Sequence, residues 1–327
     1  MNIFLTGATG YLGGAIAREL TAAGHKVTGL ARSAASARKL QAARVVPHSG
    51  SLADAGSLAA GARSADAVIH TALDAAAKAP HETDIEAAGS FLRALAGTGK
   101  AFVYTSGLTV LGDTGGIMAD EDTPPNPIRF SAWRPALEKT VLAAPGHQVR
   151  SIVIRPGWVY GRGGGTVRLL VEGARQDGVA RPVGSGQNHW PVVHIDDLAR
   201  LYVLAVEQAP AGTLLHAVGT PAAPVANIAA AASWAAGGQG CVQPWPLAKA
   251  RLQLGLRADA LALDQHVSAG RAQRLLGWVP DSPSVLEELE HGSYTPIARA
   301  RQSRLCRVTS RSSRVASWLV VRPGYAL

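Results

Sequence analysis

Three glycines carry the first chemical signal. In "TGATGYLGG", Gly7, Gly10 and Gly13 stand in GxxGxxG spacing, directly after an apolar run and directly before a helix-like one. That context gives each a physical task. Gly7 permits a tight turn, Gly10 lets a pyrophosphate approach the backbone, and Gly13 allows close packing of helix and sheet. The helix start adds N–H donors and partial positive charge for the phosphates. Thr9, Tyr11 and Leu12 lie in the same turn and join the expected contacts with a dinucleotide. The second strand-like run ends "GLARS", with Arg32 and Ser33 and no acid. An acid there bonds ribose hydroxyls and would repel a 2′-phosphate, whereas a guanidinium clamps it. NADP(H) is therefore favoured over NAD(H). "HSGSL" and "IHTALD" follow the next two strands and add Ser51, Leu52, Thr71 and Ala72 as contacts.

The elements that must position these residues alternate. Strand-like runs at 2–6, 26–32, 44–48, 66–72, 101–107 and 150–157 are separated by helical patterns, including 34–42, 54–62, 80–97 and 130–144. Leu12, Ile16 and Leu20 recur on one helical face, and Gly24 ends that helix. Such alternation predicts an α/β fold, a doubly wound parallel sheet with helices on both faces. Beyond about residue 160 the pattern shortens: helices are expected near 166–177, 195–208 and 266–276. The expected organisation is a dinucleotide-binding domain over 1–160 and a mainly substrate-binding lobe over 161–292, some of whose segments return to the sheet.

Bulk composition bounds the alternatives. The 327 residues are 47% hydrophobic and 5% aromatic, ample for a core. No run is long enough for a membrane span, no signal-peptide pattern opens the chain, and Cys241 and Cys306 show no metal spacing, so a cytoplasmic protein without a metal site is expected. The net charge of +9 is concentrated: residues 296–327 hold seven arginines and no acid, while 25 basic residues elsewhere face 23 acidic ones. That tail reads as a disordered or non-native extension, and no nucleic-acid partner is expected.

"TGATGYLGG", "VIHTA", "VYTSG", "RPGWVYGRGGG", "WPVVHIDDLA" and "LGWVP" occur in that order across about residues 2–290. Together they resemble the extended short-chain dehydrogenase/reductase superfamily, the NAD(P)-dependent epimerase/dehydratase group. The resemblance implies a Rossmann domain, a smaller C-terminal substrate lobe, Pro156 near the cofactor, and hydride transfer to or from a carbonyl, alcohol or sugar-like small molecule. It implies a tyrosine acid/base, a lysine four residues later, and a serine or threonine after the fifth strand. Relatives often pair through the helix at 130–144, so a homodimer is possible.

In "RFSAWRPALEK" those two positions read Phe130 and Arg134 when Glu138 is aligned with the family's glutamate. Phe130 has no proton to give, and Arg134 supplies a fixed charge that does not titrate usefully. The remaining candidates are Thr105, Ser106, Tyr160 and His194, with His194 read first as a helix cap. Arg168, Arg181, Asn188 and Trp190 are candidates for shaping substrate choice. Two functions stay open: an oxidoreductase or epimerase with an atypical site, and an NADP(H)-binding sensor without turnover.

Overall fold

The computed structural model describes residues 1–75 and 77–295. The basic tail, and the expectation attached to it, lie outside the described residues. Among the described residues no helix is long and apolar enough to cross a membrane.

The strands are β1 (Asn2–Thr6), β2 (Lys26–Ala31), β3 (Val46–Ser49), β4 (Ala67–His70), β5 (Ala101–Thr105), β6 (Met118–Ala119), β7 (Arg150–Pro156), β8 (Trp158–Tyr160), β9 (His189–His194), β10 (Thr213–Ala217), β11 (Thr220–Pro224) and β12 (His266–Val267). Seven form one sheet in the order β10-β7-β5-β4-β1-β2-β3, with every pairing parallel. The strand order reverses at β1, whose neighbours are β2 and β4, so the crevice for a ligand opens between the ends of β1 and β4.

Helices cover both faces. They are α1 (Tyr11–Ala22), α2 (Ala34–Ala42), α3 (Ala55–Ser64), α4 (Pro80–Leu95), α5 (Arg134–Leu142), α6 (Val167–Asp177), α7 (Ile195–Gln208), α8 (Val225–Ala235), α9 (Leu247–Leu254), α10 (Arg257–Leu261), α11 (Gly270–Leu276) and α12 (Val285–His291). Strand alternation sorts the core: Ile3, Leu5, Val103 and Ile154 pack with α1 and α7, while Phe4, Phe102 and Val153 pack with α3, α4 and α5. A third apolar cluster joins β8, β9, α6, α8, α10 and α12 into a second lobe. Late segments also serve the main sheet, since β10 pairs with β7 and α7 packs on α1.

Two helical expectations change. The helix expected over 130–144 is a 3-10 turn at Arg129–Ser131 followed by α5, which starts at Arg134. Pro135 is the reason: it has no N–H for an i−4 carbonyl, so it fits only the first turn of a helix. The helix expected over 266–276 starts at Gly270, because His266 and Val267 pair with Met118 and Ala119 instead.

α5 is fastened to the sheet by charge. The Glu138 carboxylate takes Arg155 Nε at 3.0 Å and Nη2 at 2.5 Å, with both side chains 3% exposed. Substituting Glu138→Leu leaves the Arg155 charge buried alone and is expected to cost about 3–5 kcal/mol, whereas Glu138→Leu with Arg155→Leu should regain roughly half of that. Urea unfolding of both variants checks it.

Candidate functional site

The glycine turn has the shape that the sequence requires. Gly7 adopts φ +79°, and a Cβ there would stand 2.5 Å from Thr71 Oγ1. A Cβ at Gly13 would meet the Gly7 carbonyl oxygen at 2.2 Å, so Gly13 is needed chiefly by the turn itself. The Gly10 N–H donates to the Gly7 carbonyl at 2.8 Å. Gly10 caps α1 without a side chain, and no acid lies in its first turn, which leaves the helix start open to an anion. The cradle suits a dinucleotide pyrophosphate: Gly7 and Gly13 are sterically demanded, and the first turn of α1 carries no acid.

Sequence-expected contacts surround this turn in different roles. Thr9 is exposed, and Leu12 is half-buried against the core. Tyr11 donates its hydroxyl to the Gly161 carbonyl at 2.8 Å. The same loop is held from behind by Tyr294, which accepts the Gly161 N–H at 2.7 Å and donates to the Gly164 carbonyl at 2.6 Å. Thr71 donates to the Thr6 carbonyl at 2.8 Å, and the Ala72 N–H reaches Thr6 Oγ1 at 3.3 Å, stapling the ends of β1 and β4. Arg32 is exposed just beyond β2 and lies 3.5 Å from Asp74. Ser33 caps α2 in a capping box with Ser36, so the α2 helix start lies beside Arg32. Ser51 is exposed, Leu52 packs on the α3–α4 core, and Pro156 is buried at the end of β7.

The second half of the site gathers at the end of β5. Arg134 is 6% exposed and donates from Nη1 to the Thr105 carbonyl at 3.0 Å and to the Tyr104 hydroxyl at 3.3 Å. Its guanidinium lies over the Trp133 ring, 4.9 Å from the centroid. Thr105 Oγ1 shares a hydrogen bond of 2.7 Å with the Tyr202 hydroxyl from α7. Ser106 is fully buried, its N–H is bonded to the Ile154 carbonyl, and its Oγ has no hydrogen-bond partner among the described residues. A buried unpaired hydroxyl costs about 1–3 kcal/mol, so such a group calls for an explanation, and a role toward a ligand is one. The structure therefore sets Arg134 on the Thr105 carbonyl, with Ser106 the next residue along the chain. It does not bring Tyr160 to them: that hydroxyl donates to the Pro283 carbonyl at 2.8 Å, and burial pushes it above its ordinary range. His194 caps α7, its Nδ1 accepting the Asp196 N–H at 3.2 Å. Phe130, in the 3-10 turn and half-buried, packs against the substrate-lobe cluster.

A buried network missed by sequence reasoning connects the two halves. Thr6 Oγ1 and His70 Nδ1 lie 2.6 Å apart, and His70 Nε2 meets Asp84 Oδ1 at 3.1 Å. Asp84 Oδ2 accepts the Tyr104 hydroxyl at 2.7 Å and Trp133 Nε1 at 3.2 Å. Burial by itself would push the Asp84 carboxyl up; the hydrogen bond and charge of His70, the charge of Arg134 and the Tyr104 hydroxyl outweigh it and hold the group below its ordinary range. Tyr104 moves the other way, raised first by burial and further by Asp84 against the opposing charge of Arg134. A signal existed: Asp84, Ala87, Ala88, Phe91 and Leu95 share the buried face of α4, where an acid stands out.

The second lobe adds a small pocket of about 40 Å³, partly open to solvent, lined by Leu170, Val183, Trp190, Trp245, Leu254 and Leu261 with Arg181 among them. Phe130 packs on the same cluster as these walls. Of the other lobe candidates, Asn188 is committed to the Leu261 and Leu263 carbonyls at 3.1 and 3.0 Å, and Arg168 pairs with Glu172 at 2.5 Å.

Comparison with known proteins adds four findings. The family model described as "NAD dependent epimerase/dehydratase family" matches residues 3–217. "Uncharacterized protein C2A9.02" of Schizosaccharomyces pombe is 35% identical over 311 residues, covering 90% of this chain and 100% of that protein. The "2-alkyl-3-oxoalkanoate reductase" of Stenotrophomonas maltophilia is 29% identical over 86% of this chain and 95% of that protein. In fold, the structure of UDP-glucose 4-epimerase of Thermus thermophilus, solved in complex with NAD, matches with a TM-score of 0.75 at 20% identity, covering 91% of this chain and 100% of that one.

The steric demand at the turn yields a test. Gly13→Ala is expected to weaken dinucleotide binding at least about tenfold, since every ~1.4 kcal/mol of displaced contact is a factor of ten. Titration with NADPH, followed by its fluorescence, measures the loss.

Proposed function

The chain belongs to the NAD dependent epimerase/dehydratase family, and from that premise we propose that it is an NADP(H)-dependent oxidoreductase acting on the carbonyl or alcohol of an apolar small molecule. The observation that carries this reading is the glycine turn at the start of α1, together with the end of β5, where the Arg134 guanidinium binds the Thr105 carbonyl, Thr105 Oγ1 pairs with Tyr202, and the next residue, Ser106, keeps an unpartnered hydroxyl. When bound, the nicotinamide supplies or accepts the hydride.

The chain's own residues do the remaining work. The turn at Gly7, Gly10 and Gly13 holds the pyrophosphate against the start of α1. Arg32, beside the start of α2, holds the ribose 2′-phosphate. Arg134 places a fixed positive charge beside the reacting centre, which favours developing negative charge on the substrate oxygen without moving a proton. Ser106 donates the hydrogen bond to that oxygen, and Thr105 lies next to it with Tyr202 behind. Phe130 stands where the family places its tyrosine and contributes only an apolar wall.

The substrate class follows from that wall and from the lobe cavity, which is lined by leucine, valine and tryptophan. A nucleotide sugar would bury phosphates and hydroxyls there with few polar partners. The similarity to a reductase named for 2-alkyl-3-oxoalkanoates supports the same choice. A sensor without turnover is the second reading. It is favoured by the hydroxyls of Tyr104, Tyr160 and Tyr202, each already bonded inside the protein.

Turnover of long-chain 3-oxo acids and apolar ketones with NADPH, and not of nucleotide sugars, is the expected outcome. Activity confined to nucleotide sugars overturns the substrate class, and tight NADPH binding with no turnover selects the sensor. Ser106→Ala should lower kcat about 10²–10³-fold with NADPH affinity nearly unchanged, as for loss of one oxyanion donor. Arg32→Ser should weaken NADPH at least about tenfold and leave NADH unaffected, since only the 2′-phosphate interaction is lost. A wild-type preference for NADH would refute the role given to Arg32.

A further inference from the structure

The geometry points to a binding site for a divalent transition-metal ion, of the Zn2+ type, formed by His189, Asp264 and His266. His189 opens β9, Asp264 lies in the segment before β12, and His266 begins β12. One potential ligand atom from each lies within 4.8 Å of the others. His189 Nδ1 is 2.9 Å from Asp264 Oδ1, and His266 Nε2 is 3.9 Å from the same oxygen. Bonds of about 2.0–2.2 Å at tetrahedral angles set ligand atoms roughly 3.3–3.5 Å apart. The two observed separations bracket that value, so small side-chain movements close the set around an ion. To ligate through Nδ1, His189 gives up its hydrogen bond with Asp264 as the ion enters.

Donor type narrows the class. Two imidazoles and one carboxylate suit Zn2+, Ni2+ or Cu2+, whereas Mg2+ and Ca2+ favour all-oxygen sites. Three protein ligands leave a fourth position for water. The charge also fits, because the Asp113 carboxylate accepts the Asp264 N–H at 3.1 Å and adds a second negative charge beside the site. All three side chains are partly exposed, which leaves a path for an ion from solution.

The backbone around the cluster is already ordered for the task. Asp264 Oδ1 accepts the His189 N–H at 2.7 Å, the Gln265 N–H reaches the His189 carbonyl at 3.1 Å, and the His266 N–H reaches Thr114 Oγ1 at 3.0 Å. Between the two ligands of the 264–266 segment, Gln265 Nε2 donates to the Leu108 and Gly112 carbonyls at 2.8 Å each. An ion here would clamp β9, whose next residue Trp190 walls the lobe cavity, to the segment that holds the chain leaving β5. It is a structural clamp, and nothing in it depends on the reaction proposed above.

The test uses untagged full-length protein stripped with EDTA. Calorimetric titration with ZnCl2 and visible absorption of added Co2+ should show one ion per chain with nitrogen and oxygen ligands, and Zn2+ should raise the thermal midpoint. His266→Ala, and independently Asp264→Asn, should each weaken binding at least about tenfold and abolish the thermal shift. His81→Ala, at an exposed histidine away from the cluster, should change neither. Absence of Zn2+ binding at about millimolar concentration, the weak end of specific affinities, overturns the proposal. So does one-to-one binding that survives both ligand substitutions.

Discussion

The structure depends on one buried carboxylate. Asp84 is 3% exposed on the inner face of α4, and every polar group around it is arranged to keep it ionised. On one side His70 passes the connection to Thr6 and so to the glycine turn. On the other, Tyr104 and Trp133 carry it to Arg134 and the end of β5. A buried charge without partners costs several kcal/mol, so the network is held as a unit and each member fixes the next. The glycine turn and the end of β5 are thereby joined, although about 100 residues of chain separate Thr6 from Thr105.

A second buried pair, Glu138 with Arg155, does for α5 what Asp84 does for α4. It also raises the stakes next door, because His216 beside Arg155 is pushed down to about 3, first by burial and then by the arginine's charge. The helix that carries Arg134 is therefore locked to β7 from below while its first residue reaches β5 from above. Against this rigid frame, Phe130 sits in a 3-10 turn just ahead of α5. Its half-buried ring packs against the apolar cluster of the second lobe.

Much of the cofactor half was legible because its physics is local. A turn with φ +79° and Cβ clearances of 2.2 to 2.5 Å demands glycine wherever it occurs, so its spacing survives in the sequence. The alternation of apolar strands and helices likewise reports the parallel sheet directly, since each strand must be buried on both faces. The helix around Phe130 was less legible: apolar spacing suggested one continuous element, and the single ring of Pro135 divides it. The reacting half was legible only in part. Thr105 and Arg134 could be named, but Tyr202, which pairs with Thr105, and Asp84, which binds the Tyr104 and Trp133 beside them, lie 20 or more residues away, and no spacing rule joins such positions.

The sequence by itself determined the doubly wound sheet, the place of the dinucleotide turn and the absence of a Tyr-xxx-Lys pair. These follow from periodicity, from glycine sterics and from residue identity, all of which act over a few neighbouring residues. Only the tertiary structure decided that Tyr160 spends its hydroxyl on Pro283, that the Ser106 hydroxyl is left unpartnered among the described residues, and that two histidines and an aspartate meet at the lobe's edge. Those outcomes depend on which distant groups share one buried volume, and hydrogen-bond satisfaction is settled there, after the chain has packed.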